Sequence, residues 1–529
     1  MTQIGTAICM QCLFCWRNVL SGLVFFIILL YNDYVYICLF LDEYEVTVVQ
    51  YSFRGGLRLD PHKKTRNKRV EILPHPKTVT VPILAQQGCA PEIFVSVGDT
   101  VAVGQPLGNG GGGLYCPVHA GVSGRVTDIC EGVDPLSGPY TGIVIENDGL
   151  DTPAPTVVPF DKSLQDATGE ELLEVIRNAG IPSMVTESLP VYAVIESCIG
   201  RVDRIIVNCT ECEPYLTSTY RLLVENPASV INGVKILLKA IGVRQAFLAV
   251  DNRCLDALGK LEKLLDGSKM IYGRGVDCKY PMQEQTLLYA MTGRELPAGK
   301  SAIDAGCVMF RAETCAAVFQ AFAYGMPYVR RVVTVAGNCI SSSKNVSVPL
   351  GTPVKDLIAF CGGLRRSPAH LILGDPMTGC AVDHTDGLIT KDTAAVLALS
   401  RSAEVTDTAA CIRCGRCAQV CPMHLMPFSI ARAADKNAWQ RVMRLGAEAC
   451  IACGCCSYIC PGGVDVSAKV IRAKDECRGQ IADVTEDAVL AEETVCEEET
   501  LVMPSETEVT AAEIAAEDPV KEETASEEE

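Results

Sequence analysis

The sequence carries two copies of one cysteine pattern, CIRCGRCAQVCP at Cys411–Pro422 and CIACGCCSYICP at Cys450–Pro461. Each copy reads C-x2-C-x2-C-x3-C-P, and we call them the first and second cysteine motif. This spacing is typical of proteins that bind two [4Fe-4S] clusters, in which three closely spaced thiolates hold one iron–sulfur cube and the fourth binds the other. The chain is therefore expected to contain a two-cluster module.

Crossed ligation between the motifs predicts two sets of four ligands. The ligands predicted for cluster 1 are Cys411, Cys414, Cys417 and Cys460. The ligands predicted for cluster 2 are Cys421, Cys450, Cys453 and Cys456. The additional thiol of the second motif, Cys455, is expected to bind neither cluster. Paired C-x2-C units also bind zinc, but doubled motifs with four cysteines each exceed what tetrahedral zinc sites use at this spacing.

The residues around the motifs predict a small helical, ferredoxin-like module over residues 401–480. The segment 425–449 between the motifs has a helical composition. Gly415 and Gly454 are expected to relax the tight backbone turn that brings three thiols to one cluster. The proline after each fourth cysteine is expected to turn the chain away.

Length and composition indicate a multidomain globular protein. A chain of 529 residues accommodates three or four domains, and its 48% hydrophobic and 21% charged residues are ordinary values. Its 28 cysteines could suggest a secreted disulfide scaffold. Eight of them stand at cluster-ligand positions that need reduced thiolates, so a reducing, cytosolic environment is the better interpretation.

The net charge of −18 is concentrated near the C-terminus. Residues 485–529 hold 17 Asp or Glu against one Lys, which leaves about −2 on the remaining chain. A segment rich in Ala, Thr and Glu and almost without aromatic residues is unable to bury enough apolar surface to fold. We therefore expect a disordered acidic tail, and its charge argues against nucleic-acid partners.

Residues 1–50 read as an apolar leader. Its longest apolar run, Val19–Tyr31, has 13 residues, whereas a membrane span needs roughly 20. No small-residue cleavage site follows, as a signal peptide would require. We favour a leader foreign to the mature protein over a membrane anchor. Cys9, Cys12 and Cys15 repeat the C-x2-C-x2-C spacing without a fourth cysteine and proline, so no cluster is expected there.

Residues 51–160 predict a biotinyl/lipoyl-like β-sandwich. Short runs rich in Val and Ile, such as TVTVPI from Thr78 and TGIVIEN from Thr141, alternate with glycine-containing turns. Carrier domains of that kind present a modified lysine at a hairpin, but no lysine lies between Lys77 and Lys162. The segment is therefore expected to supply the scaffold without the carrier function.

Residues 165–330 predict a doubly wound α/β domain. The pattern alternates strands over Arg204–Asn208 and Ala246–Val250 with helices over Leu172–Ala179, Ala228–Ile241 and Leu255–Leu265.

The loop after the first of these strands is the candidate binding site of the α/β domain. It reads NCTECEPYLT, Asn208–Thr217. Ligands of such sheets bind outside the carboxyl ends of the strands, which makes Glu211 and Glu213 the candidate nucleotide- or flavin-binding residues. Helix capping by these carboxylates is the alternative.

Several stretches, in order along the chain, resemble the RnfC family, a component of Rnf ion-translocating electron transport complexes that is similar to the flavin- and NADH-binding part of respiratory complex I. They include FRGGL (Phe53–Leu57), PVHAGVSGRV, NCTECEPYLT, GDPMTG (Gly374–Gly379) and both cysteine motifs. The resemblance implies a multidomain α/β protein with a β-sandwich, a Rossmann-like flavin domain, a β-grasp segment with a connector over residues 331–400, and the helical two-cluster module. It implies two [4Fe-4S] clusters, FMN and NAD(H) as cofactors.

The flavin loop departs from the family pattern. Family members carry GxGGAxFPTxxK after Ala-Gly-Ile, which here is residues 179–181. Six larger residues stand in the glycine-rich stretch, namely Ser183, Met184, Val185, Thr186, Glu187 and Ser188. Val194 replaces the family lysine, and Arg311 replaces an asparagine. Such side chains would crowd a flavin and repel its phosphate, so the sequence predicts a degenerate FMN and NAD(H) site with little NADH oxidation of its own.

Two functions follow from these features. The first is the iron–sulfur electron-transfer subunit of a membrane-associated Rnf-type oxidoreductase complex, peripheral at the cytoplasmic face, that couples ferredoxin/NAD electron transfer to ion translocation. Its partners would be the other Rnf proteins and a ferredoxin-type carrier. The second is a cytoplasmic adaptor with a degenerate flavin site that feeds a reductase such as a proline reductase. The cysteine motifs suit both, the resemblance favours the first, and the flavin loop favours the second.

Overall fold

The computed structural model describes residues 52–84, 89–111, 114–185, 189–400 and 410–478, together with the backbone of three strands that precede them. These strands are β1 (Phe25–Tyr31), β2 (Tyr34–Leu41) and β3 (Tyr44–Val48), which form an antiparallel sheet in that order. The apolar leader thus contains extended backbone where it is described. No helix of the described residues is both long and apolar enough to cross a membrane. The predicted acidic tail, residues 485–529, lies outside them.

Two antiparallel sheets follow strand β4 (Val70–Ile72), which itself joins a later sheet. Their strands are β5 (Thr78–Leu84), β6 (Glu92–Ile93), β7 (Thr100–Val101), β8 (Pro106–Asn109), β9 (Val118–His119), β10 (Gly124–Asp134) and β11 (Gly138–Asn147). One sheet has the order β5-β11-β10-β7 and the other β6-β8-β9. Alternate side chains of β5 and β11, such as Val81 and Ile143, are fully buried in one core between them.

The next part of the chain alternates helices and parallel strands. The strands are β12 (Arg204–Cys209), β13 (Gln245–Asp251), β14 (Ile271–Val276) and β15 (Cys307–Arg311), in the order β14-β13-β12-β15. The helices are α1 (Gly169–Asn178), α2 (Val191–Cys198), α3 (Ser218–Glu225), α4 (Pro227–Ile241), α5 (Leu255–Leu265), α6 (Glu284–Thr292) and α7 (Ala312–Tyr324). All five elements predicted over these residues are confirmed within a few residues.

Both faces of this parallel sheet are covered, which explains its continuous apolar strands. Ile205 and Val207 of β12 pack into a large core with α1, α2, α4, α5 and α7. Ile206, between them, points to the other face and packs with α6 and with Met309 of β15. The chain reverses its direction of travel along the sheet at β12, so the carboxyl ends of β12 and β15 flank a switch point where ligands of such sheets bind.

A mixed six-stranded sheet comes next. Its later strands are β16 (Arg330–Ala336), β17 (Lys344–Pro349), β18 (His370–Leu373), β19 (Cys380–Val382) and β20 (Ala395–Leu399), with helix α8 (Val354–Phe360) against them. The order is β19-β18-β20-β16-β17-β4, so β4 from the N-terminal part completes one edge.

The cysteine motifs lie in a helical module. Its helices are α9 (Arg416–Gln419), α10 (Pro427–Ala434), α11 (Trp439–Arg444) and α12 (Cys455–Tyr458), and residues 466–478 are also helical. The helical segment predicted over 425–449 is therefore two short helices separated by a turn. Asn437 in that turn has a φ of 51°, which no continuous helix accommodates.

Helix α4 crosses α7 at a point where only glycine fits. A β-carbon on Gly233 would stand 1.8 Å from the backbone oxygen of Cys315. We expect Gly233→Ala to lower the free energy of unfolding by about 1–3 kcal/mol, because the two helices must separate. Gly259→Ala in α5 is the matched control, since a β-carbon there meets no atom within 4 Å.

The control should be neutral or stabilising by roughly 0.5–1 kcal/mol, as alanine favours helix. Urea unfolding of the full chain, followed by circular dichroism, measures both. Equal midpoints for the two variants would contradict the close crossing of α4 and α7.

Candidate iron–sulfur and nucleotide sites

The loop after β12 is held in place by a lysine from the N-terminal part of the chain. The Lys63 ammonium donates hydrogen bonds to the backbone oxygens of Glu211 (2.9 Å), Glu213 (2.7 Å) and Leu216. This bonding fixes the whole turn at the carboxyl end of β12. No sequence pattern pointed to Lys63.

Glu211 and Glu213 are both drawn into the protein at this loop, with different partners. A Glu211 carboxylate oxygen accepts a hydrogen bond from the backbone N–H of Thr219 at 3.1 Å, in the first turn of α3. This is the helix-capping arrangement that the sequence left open. A Glu213 carboxylate oxygen accepts the backbone N–H of Met377 at 3.1 Å, which joins the β12 loop to the GDPMTG loop.

Burial makes these two carboxyl groups hard to ionise. Burial, followed by the charges of Asp375 and Cys212, raises the pKa of Glu213 from its ordinary 4.5 to about 9. Burial also raises the pKa of Glu211, although the nearby Lys63 charge opposes the shift. Glu213 is therefore protonated at neutral pH and acts there as a neutral hydrogen-bonding group.

Arg311, at the end of β15, faces the same switch point. Burial alone would lower the pKa of Arg311, but the carboxylates of Asp375 and Glu313 more than offset it, so the pKa is raised. One carboxylate oxygen of each of these acidic residues is buried without a hydrogen-bond partner. The switch point thus holds a guanidinium among acidic groups.

The loop at the family's glycine-rich position is filled by side chains where it is described. The backbone N–H of Ser183 donates to the oxygen of Leu189 at 2.9 Å, which closes the loop at its base. Met184 packs against the core that includes α1 and α7, and Val185 packs against the core that includes α6. Thr186, Glu187 and Ser188 lie outside the described residues.

A flavin phosphate finds few suitable groups in this part of the molecule. A phosphate cradle needs exposed backbone N–H groups and positive charge. Met184 and Val185 pack against two cores, and Val194 of α2, at the family lysine position, is buried. Asp375 and Glu313 place negative charge at the switch point, against the single positive charge of Arg311. The described residues therefore do not fit an FMN phosphate.

The second cysteine motif encloses a cavity that also contains a thiol from the first. The lining includes Cys450, Cys453 and Cys456 of the second motif and Cys421 of the first. These are the four ligands predicted for cluster 2. The cavity has about 390 Å³ of atom-free space, counted to its open mouth, and its other walls are mostly apolar.

Backbone amides point at the sulfur atoms around this cavity. Burial raises the pKa of the Cys421 thiol to about 11, and the nearby backbone amides of Leu425 and Met423 oppose this shift. Burial also raises the pKa of Cys417, where the backbone amide of Phe428 opposes it. Such donors stabilise the negative charge that thiolates carry as cluster ligands. Among the described residues no group of three or more His, Cys, Asp or Glu side chains is close enough to hold a single metal ion. Four thiols around one cavity with apolar walls are nevertheless the donor set that a larger iron–sulfur cluster takes.

The ligands predicted for cluster 1 are less enclosed. Cys411 and Cys414 are exposed, Cys460 is half-buried and Cys417 is buried. Cys455, which was expected to bind neither cluster, is 1% exposed and also lines the cluster 2 cavity.

A buried tyrosine connects the cluster 2 cavity to the α/β domain. The Tyr280 hydroxyl donates to the backbone oxygen of Cys453 at 2.6 Å, and its backbone pairs with Leu57. Tyr280 is 2% exposed. The sequence carried no signal for this contact.

The buried state of Glu213 generates a pH test. Because its pKa is higher in the folded than in the unfolded chain, the folded state binds the extra proton between pH 4.5 and about 9. Its contribution to stability is complete below pH 4.5 and is lost as the pH rises through that range, at up to about 1.4 kcal/mol per pH unit. Glu213→Gln should therefore flatten the decline in stability between about pH 6 and pH 8, which lies inside that range.

Urea unfolding of the full chain at several pH values measures this slope. Glu262→Gln, on the exposed side of α5, is the control and should keep the wild-type slope. A Glu213→Gln variant with the same slope as wild type would show that Glu213 is ionised in the folded protein.

Four protein-family models match successive parts of the chain. They are the RnfC barrel sandwich hybrid domain (residues 51–150), the Nuo51 FMN-binding domain (176–320), the SLBB domain (332–381) and the 4Fe-4S dicluster domain (403–461). The expected class, a multidomain α/β protein with a flavin-type domain and a two-cluster domain, is confirmed at this level. The match to an FMN-binding domain concerns residues 176–320 as a whole, whereas the substitutions that the sequence predicts to weaken flavin binding stand at Ser183–Ser188.

The chain also resembles curated relatives over most of their length. It is 36% identical to the C component of the proton-translocating ferredoxin:NAD(+) oxidoreductase complex of Clostridium ljungdahlii, over 74% of this chain and 86% of that one. It is 33% identical to the Na(+)-translocating counterpart of Acetobacterium woodii, over 74% and 89%. It is 35% identical to the C component of the ion-translocating oxidoreductase complex of Rhodobacter capsulatus, over 72% and 74%.

Among solved structures, a chain of an NAD+-reducing [NiFe]-hydrogenase has a TM-score of 0.42 and 15% identity, over 58% of this chain and 61% of that one. That similarity is too low to define the fold. The sequence identity to the three curated relatives, in contrast, extends over about three quarters of this chain and most of theirs. The chain therefore belongs to the RnfC family.

Proposed function

We propose that the protein is the iron–sulfur electron-transfer subunit of a membrane-associated Rnf-type oxidoreductase complex. The complex would couple electron transfer between ferredoxin and NAD to ion translocation, as the names of the relatives state for their own complexes. The observation that carries the proposal is the position of Cys421. It belongs to the first cysteine motif yet lines the cavity of the second, as crossed cluster ligation requires.

The protein's own residues prepare this module for one-electron chemistry. When bound, the two clusters supply sites that accept and release single electrons. The thiols would hold them, the backbone amides of Leu425 and Phe428 near Cys421 and Cys417 would favour the thiolate form, and the apolar walls would limit access of water. Tyr280 connects this shell to the parallel-sheet domain.

The finer domain assignments belong to the same proposal. We assign a β-sandwich to residues 51–160, a Rossmann-like domain to 165–330, a β-grasp segment with a connector to 331–400 and the two-cluster helical module to 401–480. The sheet orders support the first two assignments, and the SLBB match over 332–381 lies inside the third. We keep residues 1–50 as a leader, whereas residues 485–529 lie outside the described part of the chain.

The partners proposed are the other proteins of an Rnf-type complex and a ferredoxin-type carrier, with the protein peripheral at the cytoplasmic face of the membrane. The alternative, an adaptor that feeds a cytosolic reductase, is not favoured, because the relatives at 33–36% identity are all named as parts of such complexes. The substitutions in the flavin loop affect nucleotide binding, and none of them lies in the two-cluster module.

The ligand assignment predicts the outcome of single cysteine substitutions. Anaerobically reconstituted protein should contain about eight irons per chain, because each set of four thiolates holds one cube. Cys456→Ala should lose about half of the iron, since Cys456 is a proposed ligand of cluster 2. Cys455→Ala, one residue away in the same cavity, is the matched control and should keep both clusters.

Iron and sulfide analysis and electron paramagnetic resonance of the dithionite-reduced protein provide the measurement. Zinc in place of iron, or loss of a cluster in Cys455→Ala with retention in Cys456→Ala, would overturn the assignment.

The substituted flavin loop predicts protein that carries clusters but little FMN. Each lost charge-assisted hydrogen bond to the phosphate removes roughly 1.5–3 kcal/mol, so several together weaken binding by orders of magnitude. Fluorescence of the supernatant after denaturation measures FMN, and reduction of an artificial acceptor measures NADH oxidation. Stoichiometric FMN together with rapid NADH oxidation would instead restore a complete NADH-oxidising site.

A further inference from the structure

The two cysteine motifs have the same backbone but different side chains at matching positions. Arg413 and Ala452, each two residues after the first cysteine of its motif, have φ angles of 56° and 52°. Gly415 and Gly454 have φ angles of 77° and 73°. Differences between the motifs therefore arise from the side chains and from their surroundings.

The second motif faces the protein. Cys455 is 1% exposed and packs with Leu57 and Tyr280. Ile451 packs against the same group of buried side chains. The backbone oxygen of Cys453 accepts the Tyr280 hydroxyl. Cluster 2 is therefore the inner cluster of the module, next to the parallel-sheet domain.

The N-terminal half of the first motif, Cys411–Arg416, faces solvent. Ile412, which matches Ile451, is 69% exposed, and the flanking ligands Cys411 and Cys414 are exposed as well. Arg416, which matches the buried Cys455, is exposed, and so is Arg413. Neither arginine has an acidic partner within the part of the chain that the structure describes.

The positive charge at this surface is opposite in sign to the net charge of the whole chain. Residues 411–475 hold nine Lys or Arg and four Asp or Glu, whereas the whole chain carries −18. Exposed cations without partners, grouped around an exposed apolar side chain, form the polar rim and apolar centre of a protein-docking patch. The cations would also steer an oppositely charged partner to the cluster.

We propose that the exposed stretch Cys411–Arg416 is the docking face for an acidic one-electron carrier protein, with cluster 1 as the cluster that exchanges electrons with it. Ile412 contacts the partner at the centre, and Arg413 and Arg416 pair with its carboxylates. One electron passes between the carrier's redox group and cluster 1, so one is oxidised as the other is reduced, and no bond or proton is transferred. The inference rests on the proposed function, because it needs the clusters in place.

Charge reversal at the two arginines tests the docking face. The probe is a purified acidic flavodoxin, used in its oxidised form for binding and fully reduced for electron transfer to the reconstituted full chain. At an ionic strength of about 0.01 M, the double variant Arg413→Glu, Arg416→Glu should raise the Kd and lower the electron-transfer rate by ~10-fold or more. Both effects should shrink at about 0.1 M, where the charges are screened.

A second double variant, Lys263→Glu with Lys269→Glu, changes the net charge equally at exposed positions of the parallel-sheet domain. It should keep the wild-type Kd and rate. A redox titration of cluster 1, followed by electron paramagnetic resonance, should give the same reduction potential in all three proteins, which separates docking from a change in cluster potential. Fluorescence anisotropy of labelled flavodoxin measures the Kd, and stopped-flow absorbance measures the rate.

An equal loss of affinity and of electron-transfer rate in both double variants would show that only the net charge of the protein matters. That result would overturn the docking face. A reduction potential of cluster 1 that shifts far enough in the Arg413→Glu, Arg416→Glu variant to account for the lost rate would assign the arginines to cluster potential and also overturn the docking face. Iron analysis of each protein keeps the two proposals apart. Missing iron in the wild type contradicts the proposed function, whereas full iron with charge-independent binding contradicts the docking face alone.

Discussion

Cys421 lies in the sequence of one cysteine motif and in the cavity of the other, and the rest of the module is arranged around this crossing. The crossing requires the two motifs to stand side by side, which α10 and α11 achieve by folding back between them. The Lys474 ammonium donates to the backbone oxygen of Cys450 at 2.7 Å and ties the final helix to the same wall. The thiols, the helices α10 and α11 and the turn between them therefore form one unit around the four sulfur atoms.

Local patterns in the sequence were sufficient for the five helices and strands predicted in the α/β domain, but six others in that domain were not predicted. Helix α5 begins and ends at the predicted residues, Leu255 and Leu265, because its apolar spacing is visible in eleven consecutive residues. Strand β12 was equally clear as a short apolar run. The division of segment 425–449 into two helices was harder to predict. The turn near Asn437 depends on how α10 and α11 pack and not on a proline or glycine that would end a helix.

Contacts between distant residues were beyond the reach of such patterns. The sequence placed Glu211 and Glu213 at the end of a strand, but their partners Lys63 and Met377 lie about 150 and 160 positions away. The high pKa of Glu213 depends on Asp375, which no local rule brings to the same loop. The spacing of the cysteines predicted the ligand sets, whereas the difference between an inner and an outer motif emerges only from what the fold places beside each one.

The FRGGL stretch near the N-terminus imposes an order on biosynthesis. The backbone N–H of Gly56 donates to the oxygen of Val420 at 2.8 Å, and Leu57 pairs with Tyr280. A ribosome adding about 5–20 residues per second needs roughly 20–70 s to make the chain between Gly56 and Val420. The FRGGL segment therefore remains without its partner Val420 until most of the protein has been translated. The wall that this segment contributes beside the cluster cavity is then among the last parts of the protein to form.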